Sequence, residues 1–414
     1  MKAGTILLVI VFFIAAEFLI EKFLDYLNAK HFHDPIPADL RDLYDKEEYK
    51  KAQEYKKTNY RFHLWESTLS FLLILLLLFT GFFGYLDEKV RLIHSSPVLQ
   101  SLIYFILLGI GALLISLPFN YYQTFVIEEK FGFNKTTKKL FIIDALKNIV
   151  ISIVLIIVLG GSILFIYKKS GENFWWQAWI VIALFSLFLN LFYTSLILPF
   201  FNKLKLLEEG SLREKLSLLA HKVHYNLDRI YIIDGSKRST KANAFFSGFG
   251  PKKKVVLYDT LLQELNEDEI AAVLAHEIGH YKKKHIIFQL IISILTTGLF
   301  LYLFSLVVNN DLLANALGAK RNSFHIGLIA FALLFAPISF LIGIITNFIS
   351  RKFEYQADRY AKNYWNSNDL ISGLKKLHKK SLSNLTPHPW YVFVHYSHPP
   401  LKDRIKALKF KENK

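Results

Sequence analysis

The chain has no cysteine and little charge, and both deficits narrow the chemistry available to it. Without cysteine it forms no disulfide, has no thiol nucleophile and binds no metal through thiolate, so a metal site must use histidine and carboxylate ligands. Charged residues make up only 20% of the 414 positions, whereas 53% are hydrophobic and 37 are phenylalanine. This balance is typical of a protein that crosses a membrane many times.

The net charge of +16 is carried between the apolar runs. Lys and Arg are absent from the long apolar stretches and gather in the segments that connect them, as in other membrane proteins. The charge therefore predicts contact with membrane lipids and argues against a nucleic-acid partner. The sequence gives no indication of the oligomeric state.

Seven apolar runs are each long enough, at about 20 residues, to cross the hydrocarbon core of a bilayer. They lie at 4–20, 65–86, 98–120, 148–167, 174–200, 286–308 and 325–349. The first is interpreted as a retained span, because the apolar pattern continues past Glu17 and Ile14-Ala15-Ala16 is no cleavage site. The expected fold is mainly α-helical, a polytopic membrane protein with seven transmembrane helices.

The connecting segments predict the orientation of these spans. The side with the N-terminus carries seven cations in its short segments, whereas the loops 21–64 and 121–147 of the other side carry 14. The more positive side is the cytoplasmic one. The N-terminus is then outside or lumenal and the C-terminus cytoplasmic, in a bacterial inner membrane or in the endoplasmic reticulum; these residues do not decide which.

The spans divide the chain into four predicted parts. They are an N-terminal membrane domain at 1–200 with five spans, a cytoplasmic segment at 201–285, spans six and seven at 286–349, and a C-terminal segment at 350–414.

The segment 201–285 has the patterns of a small α/β unit. An amphipathic helix is predicted at 211–224, a strand at 229–233 and a hairpin of 243–246 with 254–258, which includes Gly248 and Gly250. Asn266 is expected to cap the following helix, which leads towards the sixth span.

That helix contains two histidines four residues apart, which indicates a metal site. His276 and His280 would lie on one helical face, so both imidazoles reach a single tetrahedral Zn²⁺. Glu277 would reach a water on the metal without ligating it and act as general base. This H-E-x-x-H pattern is that of zinc proteases, and it predicts one zinc ion per chain. It makes 201–285 the predicted metalloprotease segment and 350–414 the predicted C-terminal part of the catalytic domain.

A catalytic zinc needs a third protein ligand and keeps its fourth position for water. Glu354 is the best candidate, since it follows the last span on the same side of the membrane. Asp358, one turn further, would hold the ring N–H of a ligating histidine. Without the histidine pair, both carboxylates would instead be assigned to a solvated face with Arg351 and Arg359. The weaker ligand candidates are His285, His325 and His395.

Three further residues are candidates for substrate contacts. His398 precedes Pro399-Pro400 and Arg404 lies one turn into the next helix, where both could stabilise the tetrahedral oxyanion. The alternative is an ordinary surface His and Arg. Asn243 lies beside a predicted edge strand, where an extended peptide could pair and an amide side chain could hold its backbone.

Several segments resemble the type I CAAX prenyl proteases, integral-membrane zinc metalloproteases. The matching segments are His276-Glu277-Ile278-Gly279-His280, Phe353-Glu354-Tyr355-Gln356-Ala357-Asp358, Ser397-His398-Pro399-Pro400-Leu401, Val126-Ile127-Glu128-Glu129-Lys130-Phe131-Gly132-Phe133-Asn134-Lys135, Asn243-Ala244-Phe245 and Val256-Leu257-Tyr258-Asp259-Thr260. Many metalloproteases share the first motif, whereas its combination with the Glu-Glu-Lys loop is far more specific.

The resemblance implies a ring of seven helices around a water-filled chamber, with zinc near its cytoplasmic end. It implies Glu354 as third ligand, and Asn243, Ala244, His398 and Arg404 as contacts to substrate and transition state. The implied reaction is endoproteolysis near the C-terminus of a CaaX-type protein or peptide, prenylated at its Cys.

Three other functions compete with this interpretation. The nearest is a broad quality-control metalloprotease of the membrane, which would accept varied unfolded segments. A transporter would place ionisable residues in the middle of its spans, which here are nearly free of them. An inactive scaffold that binds lipid-modified proteins would not need Glu277.

Overall fold

The computed structural model describes residues 2–225, 229–247 and 254–410. Within these ranges the chain is mainly helical, with one small sheet. The helices are α1 Ala3–Lys30, α2 Lys46–Phe79, α3 Phe82–Ile93, α4 Pro97–Tyr122, α5 Lys138–Leu155, α6 Gly161–Ser170, α7 Phe174–Leu196, α8 Leu198–Phe201, α9 Ser211–Lys222, α10 Asp259–Glu264, α11 Glu267–Lys282, α12 His285–Ser305, α13 Asp311–Ala316, α14 Phe324–Tyr364, α15 Ser367–Lys380, α16 Pro389–His395 and α17 Leu401–Lys409. The strands are β1 Leu204–Leu206, β2 Ile230–Ile233, β3 Ala244–Ser247 and β4 Lys254–Tyr258.

Six helical segments of the described chain are long and apolar enough to cross a membrane. They are Ala3–His33, Lys46–Phe79, Pro97–Glu128, Lys138–Phe201, His285–Ser305 and Phe324–Tyr364. Only 6–17% of the apolar window of each is buried in the protein. Their large side chains therefore face outwards, where lipid can cover them, and the chain is an integral multi-pass membrane protein.

The segment Lys138–Phe201 contains two of the predicted spans, 148–167 and 174–200. The chain turns at Gly171, whose φ of +53° lies where glycine is favoured, between α6 and α7. The two helices then pack together, and the ring of Tyr167 meets that of Phe174 edge-on at 5.4 Å. This long segment is thus folded back on itself.

The end of the second predicted span was placed wrongly. A left-handed Gly81, with φ of +67°, ends the span 65–86 early and starts the separate helix α3. Most of the predicted loop 87–97 is therefore helical. The reason is tertiary: Asp87 of α3 is buried and its carboxylate lies 2.7 Å from the ring of His325.

The small sheet lies between the fifth and sixth predicted spans. Its strand order is β1-β2-β4-β3, with β2 and β4 parallel and the two outer pairs antiparallel. The predicted helix α9, strand β2 and hairpin β3–β4 are confirmed, whereas β1 was missed. Gly248 and Gly250 of the hairpin lie outside the described residues.

The helix α11 runs through the largest hydrophobic core of the described residues. It packs against α9 and α15, and its Leu274 and Ile278 belong to the same buried cluster as residues of the sheet and of α17. On another side α11 packs on α14, which continues as one helix from the last span. This arrangement fixes the histidines of α11 against the carboxylates of α14.

Candidate metal centre

The start of α11 is fixed by a reciprocal cap. The side chain of Asn266 accepts the backbone N–H of Glu269, and Glu269 in turn accepts the N–H of Asn266. Glu269 is buried and also accepts from Ser372 and Lys376 of α15. The cap predicted from Asn266 is confirmed, and it sets the rotation of the helix that carries the histidines.

His276 and His280 face each other one turn apart on α11. Their Nε2 atoms are 3.2 Å apart. Glu354 of α14 faces both, with one carboxylate oxygen 3.3 Å from His280 Nε2 and the other 3.5 Å from His276 Nε2. Tetrahedral ligands at 2.0–2.2 Å from zinc lie about 3.3–3.6 Å from one another, so these three side chains match a metal site.

A glycine allows α11 and α14 to approach closely enough for this geometry. A Cβ at Gly279 would lie 3.0 Å from the Cα of Ala357 and 3.0 Å from the Cβ of Tyr360. Gly279 therefore lets the backbone of α11 rest on α14, between the two histidines and opposite the two carboxylates.

Asp358 and Arg404 form a buried pair behind His276. Arg404 donates from Nε and Nη2 to the two oxygens of Asp358, at 2.9 and 2.6 Å. One oxygen of Asp358 also lies 2.9 Å from Nδ1 of His276. Asp358 thus holds the far nitrogen of His276, and Arg404 holds Asp358.

The setting of these carboxylates rules out a solvated face. Glu354 is only 3% and Asp358 only 2% exposed. Arg351 does not pair with them; it donates to the backbone carbonyls of Val392 and Tyr396.

His398 lies at the open side of the cluster. Its Nδ1 is 3.0 Å from a Glu354 oxygen, while its side chain is 65% exposed. Arg404 is buried instead, and its Nη1 is 3.5 Å from the same carboxylate. The two residues therefore differ: His398 can touch a substrate, whereas Arg404 is enclosed behind the site.

Glu277 lies on the neighbouring face of α11 and is partly exposed. Within the described chain its carboxylate has no hydrogen-bond or ion-pair partner. Burial raises the pKa of Glu277 above its ordinary value, against the opposing effect of His276 and His280. A carboxylate with a raised pKa beside a metal position accepts a proton more readily than an ordinary glutamate.

Asn243 and Ala244 lie at the start of β3, the outer strand of the sheet on that side. Asn243 is exposed, and its side-chain oxygen accepts the N–H of Ala244 at 2.8 Å. Among the described residues no hydrogen bond or ion pair joins either of them to His276, His280 and Glu354, which are called the His–Glu cluster below. The predicted edge strand is confirmed, and its use by a substrate stays a prediction.

The three weaker histidine candidates lie in different places. His325 is buried beside Asp87 and Ser101, about 43 Å from Glu354 along α14 at 1.5 Å per residue. His395 lies 3.2 Å from a Glu21 oxygen. His285, by contrast, contacts His280 through the two Nδ1 atoms at 3.1 Å, a contact that helical spacing could not predict because Lys284 breaks the helix with φ of +59°.

Two family models match the chain. One, described as CAAX prenyl protease N-terminal with five membrane helices, matches residues 25–203, and the other, described as Peptidase family M48, matches residues 206–412. The second match includes every residue of the His–Glu cluster.

Named relatives match along nearly the whole chain. The CAAX prenyl protease 1 homolog of Oryza sativa is 34% identical over 97% of this chain and 97% of its own length. CAAX prenyl protease 1 of Saccharomyces cerevisiae is 34% identical over 98% of this chain and 96% of its own length. The crystal structure of S. mikatae Ste24p superimposes with a TM-score of 0.91 at 34% identity, covering 98% of this chain and 99% of that one.

Proposed function

The chain belongs to peptidase family M48 and is a metalloprotease, and from this we propose that it is a zinc endopeptidase cleaving near the C-terminus of prenylated CaaX-type proteins. The observation that carries the proposal is the triangle of His276, His280 and Glu354, whose donor atoms have the spacing of tetrahedral zinc ligands. The substrate class comes from the names of the relatives.

We assign one zinc ion to these three side chains. When bound, it would lower the pKa of a coordinated water to about 7 and polarise the scissile carbonyl. Asp358 keeps the proton of His276 on Nδ1, so that Nε2 is free to ligate. Arg404 acts in this scheme mainly by holding Asp358 and Glu354, a change from the oxyanion role expected from sequence.

Glu277 is the proposed general base. Its carboxylate would take a proton from the attacking water and pass it to the leaving amine, which its raised pKa favours. His398, exposed beside Glu354, is the residue proposed to donate to the developing oxyanion.

Asn243 and Ala244 are proposed to hold the substrate backbone. Within the described part of the chain no strand pairs with the outer edge of β3, so an extended peptide can add one strand to the sheet there. Asn243 would then add a side-chain hydrogen bond at the start of that strand.

The wider setting is proposed from the spans and their charges. Seven transmembrane helices would surround a chamber, the long segment Lys138–Phe201 supplying two of them. The N-terminus would lie outside or in the lumen, and the sheet, the metal centre and the C-terminus on the cytoplasmic side.

Two substitutions test the metal centre. We expect Glu277→Gln to keep its zinc and lose turnover by about 10²–10⁴-fold, since it removes a base but no ligand. Glu354→Gln should lose zinc affinity. Glu267→Gln, in the first turn of the same helix, is the matched control. The readouts are zinc content and cleavage of a farnesylated CaaX peptide; wild-type turnover by Glu277→Gln would refute the mechanism.

The substrate class is tested separately with three substrates. A farnesylated CaaX peptide should be cleaved, and the unprenylated peptide and casein much more slowly. Equal cleavage of casein, still dependent on Glu277, would instead support the broad quality-control protease.

A further inference from the structure

His285 lies at the first position of α12 and is turned towards the metal centre. It is only 2% exposed. Its ring is stacked on that of Phe353 at 4.0 Å and 7°. Its Nδ1 is 3.1 Å from Nδ1 of His280, and its Nε2 is 3.0 Å from Oε1 of Gln356. All the nitrogens of this ring are therefore engaged, and one of them contacts a proposed ligand.

The positions of the protons follow from these contacts. His280 presents Nε2 to His276 and Glu354, so its proton must lie on Nδ1 when it ligates a metal. That N–H donates to Nδ1 of His285, which must then be unprotonated. The remaining proton of His285 lies on Nε2 and donates to the amide oxygen of Gln356. In this series of hydrogen bonds each ring nitrogen is either a donor or an acceptor, never both.

We propose that His285 and Gln356 are positioning residues that hold His280 in its metal-binding tautomer, as Asp358 does for His276. This inference rests on the proposed ligand set. The two histidine ligands are thus supported differently, His276 by a carboxylate and His280 by a neutral ring and amide.

The charges of the cluster explain why the second support is neutral. Glu277, Glu354 and Asp358 carry three negative charges, of which Arg404 offsets one. A divalent cation neutralises the remaining two. A fourth carboxylate behind His280 would leave a buried excess charge, which is costly in a region of low dielectric. A histidine backed by an amide gives the same direction to His280 without adding charge.

The test separates hydrogen bonding from ring packing at position 285. His285→Phe keeps an aromatic ring on Phe353 but removes both nitrogens. His285→Asn places an amide oxygen near the position of Nδ1 and keeps an acceptor for His280. We expect His285→Phe to weaken Co²⁺ binding by 10–100-fold with an altered visible absorption spectrum, and His285→Asn to recover most of the affinity. Gln356→Leu should give an intermediate loss.

The measurement is a Co²⁺ titration of the full chain in detergent, with the thermal midpoint of the metal-free protein beside it. His395→Phe, which removes a histidine that contacts Glu21 instead, is the control and should bind Co²⁺ like the wild type.

Wild-type affinity and spectrum in His285→Phe would overturn the proposal. So would an equal loss in His285→Phe and His285→Asn with a lower midpoint in both, which indicates packing alone. A wild type that binds Co²⁺ but cleaves no prenylated peptide contradicts the proposed function, and the order of Co²⁺ affinities still decides the role of His285.

Discussion

Arg404 and Asp358 form a buried ion pair behind His276, one of the proposed metal ligands. Removing the guanidinium would leave the carboxylate of Asp358 buried with only His276 as partner. We expect Arg404→Met to cost about 3–5 kcal/mol in the free energy of unfolding, measured by denaturant titration. Lys402→Met, on the exposed face of the same helix, should have little effect. Adding Asp358→Asn to Arg404→Met should restore most of the stability, and a double variant as unstable as the single one would contradict this explanation.

The buried ring of His378, in α15, should make the free energy of unfolding depend on pH. Burial, with Arg404 and His398 nearby, lowers the pKa of His378 to about 4, and its Nδ1 has no partner among the described residues. The folded protein therefore keeps this ring neutral, while the unfolded chain takes up a proton below about pH 6.5. Stability should fall as the pH falls from about 6.5 towards 4, by about 2 kcal/mol at pH 5.

His378→Gln, which cannot titrate, should remove that part of the pH dependence. The measurement is the free energy of unfolding of both proteins at pH 7.5 and pH 5. Between pH 7.5 and 9 the curves should run parallel, because the ring is neutral in both states there. Parallel curves down to pH 5 would mean that His378 titrates normally in the folded protein.

The proposed ligand residues could be identified from sequence because they lie in short-range patterns, and the structure brings them together. His276 and His280 are one helical turn apart, and so are Glu354 and Asp358, so helix geometry alone puts each pair on one face. His285 and Gln356 were not predictable in their role, because a left-handed Lys284 and a contact between two distant helices bring them together. The partner of Arg404 was missed for the same reason, since Asp358 lies on another helix.

At the scale of elements, the contact between α11 and α14 determines the site. The first and last residues of a helix were well predicted where the sequence carries a local signal, such as the Asn266 cap. They were poorly predicted where contacts with distant residues determine the end of a helix. An example is α3, whose buried Asp87 is paired with His325 of α14. A helix beyond the last span was expected from sequence, where Asp358 lies one turn after Glu354. The structure joins it to the span as one helix that ends at Tyr364, with Glu354 and Asp358 buried against α11.

Gly279 provides the test of that helix contact. By helix propensity alone, Gly279→Ala would stabilise α11 by about 1 kcal/mol. However, a Cβ there would lie 3.0 Å from atoms of Ala357 and Tyr360, so we expect Gly279→Ala to destabilise the protein instead. To relieve the contact α11 must move away from α14. This movement separates the histidines from Glu354 and lowers the zinc affinity. Gly343→Ala in α14 is the control, since nothing lies within 4 Å of its Cβ position. Unchanged zinc affinity in Gly279→Ala would show that the two helices adjust without loss.

At the scale of the whole molecule, α14 links separate cores at its two ends. Near its start Ile326 and Ala330 belong to a buried cluster with α1, α3 and α13, while Phe324 and Phe331 belong to a second cluster with α7 and α12. Asp87 pairs with His325 at this end. The last turns of α14 belong to the core around α11. The two ends of α14, one beside Asp87 and the other beside the proposed metal ligands, are therefore connected by one long helix, with no hydrophobic cluster in common among the described residues.

Gly84 tests whether these two ends are independent. Its backbone N–H donates to the carbonyl of Leu317, and a Cβ would lie 2.2 Å from the carbonyl carbon of Gly318. Gly84→Ala must therefore separate α3 from the segment before α14 and lower the thermal midpoint. We expect zinc affinity to stay at the wild-type value, because the damage lies in the other core. Combined with Gly279→Ala, the two losses of stability should add to within about 0.5 kcal/mol, as for distant sites. A loss of zinc affinity in Gly84→Ala alone would mean that α14 transmits strain from one end to the other.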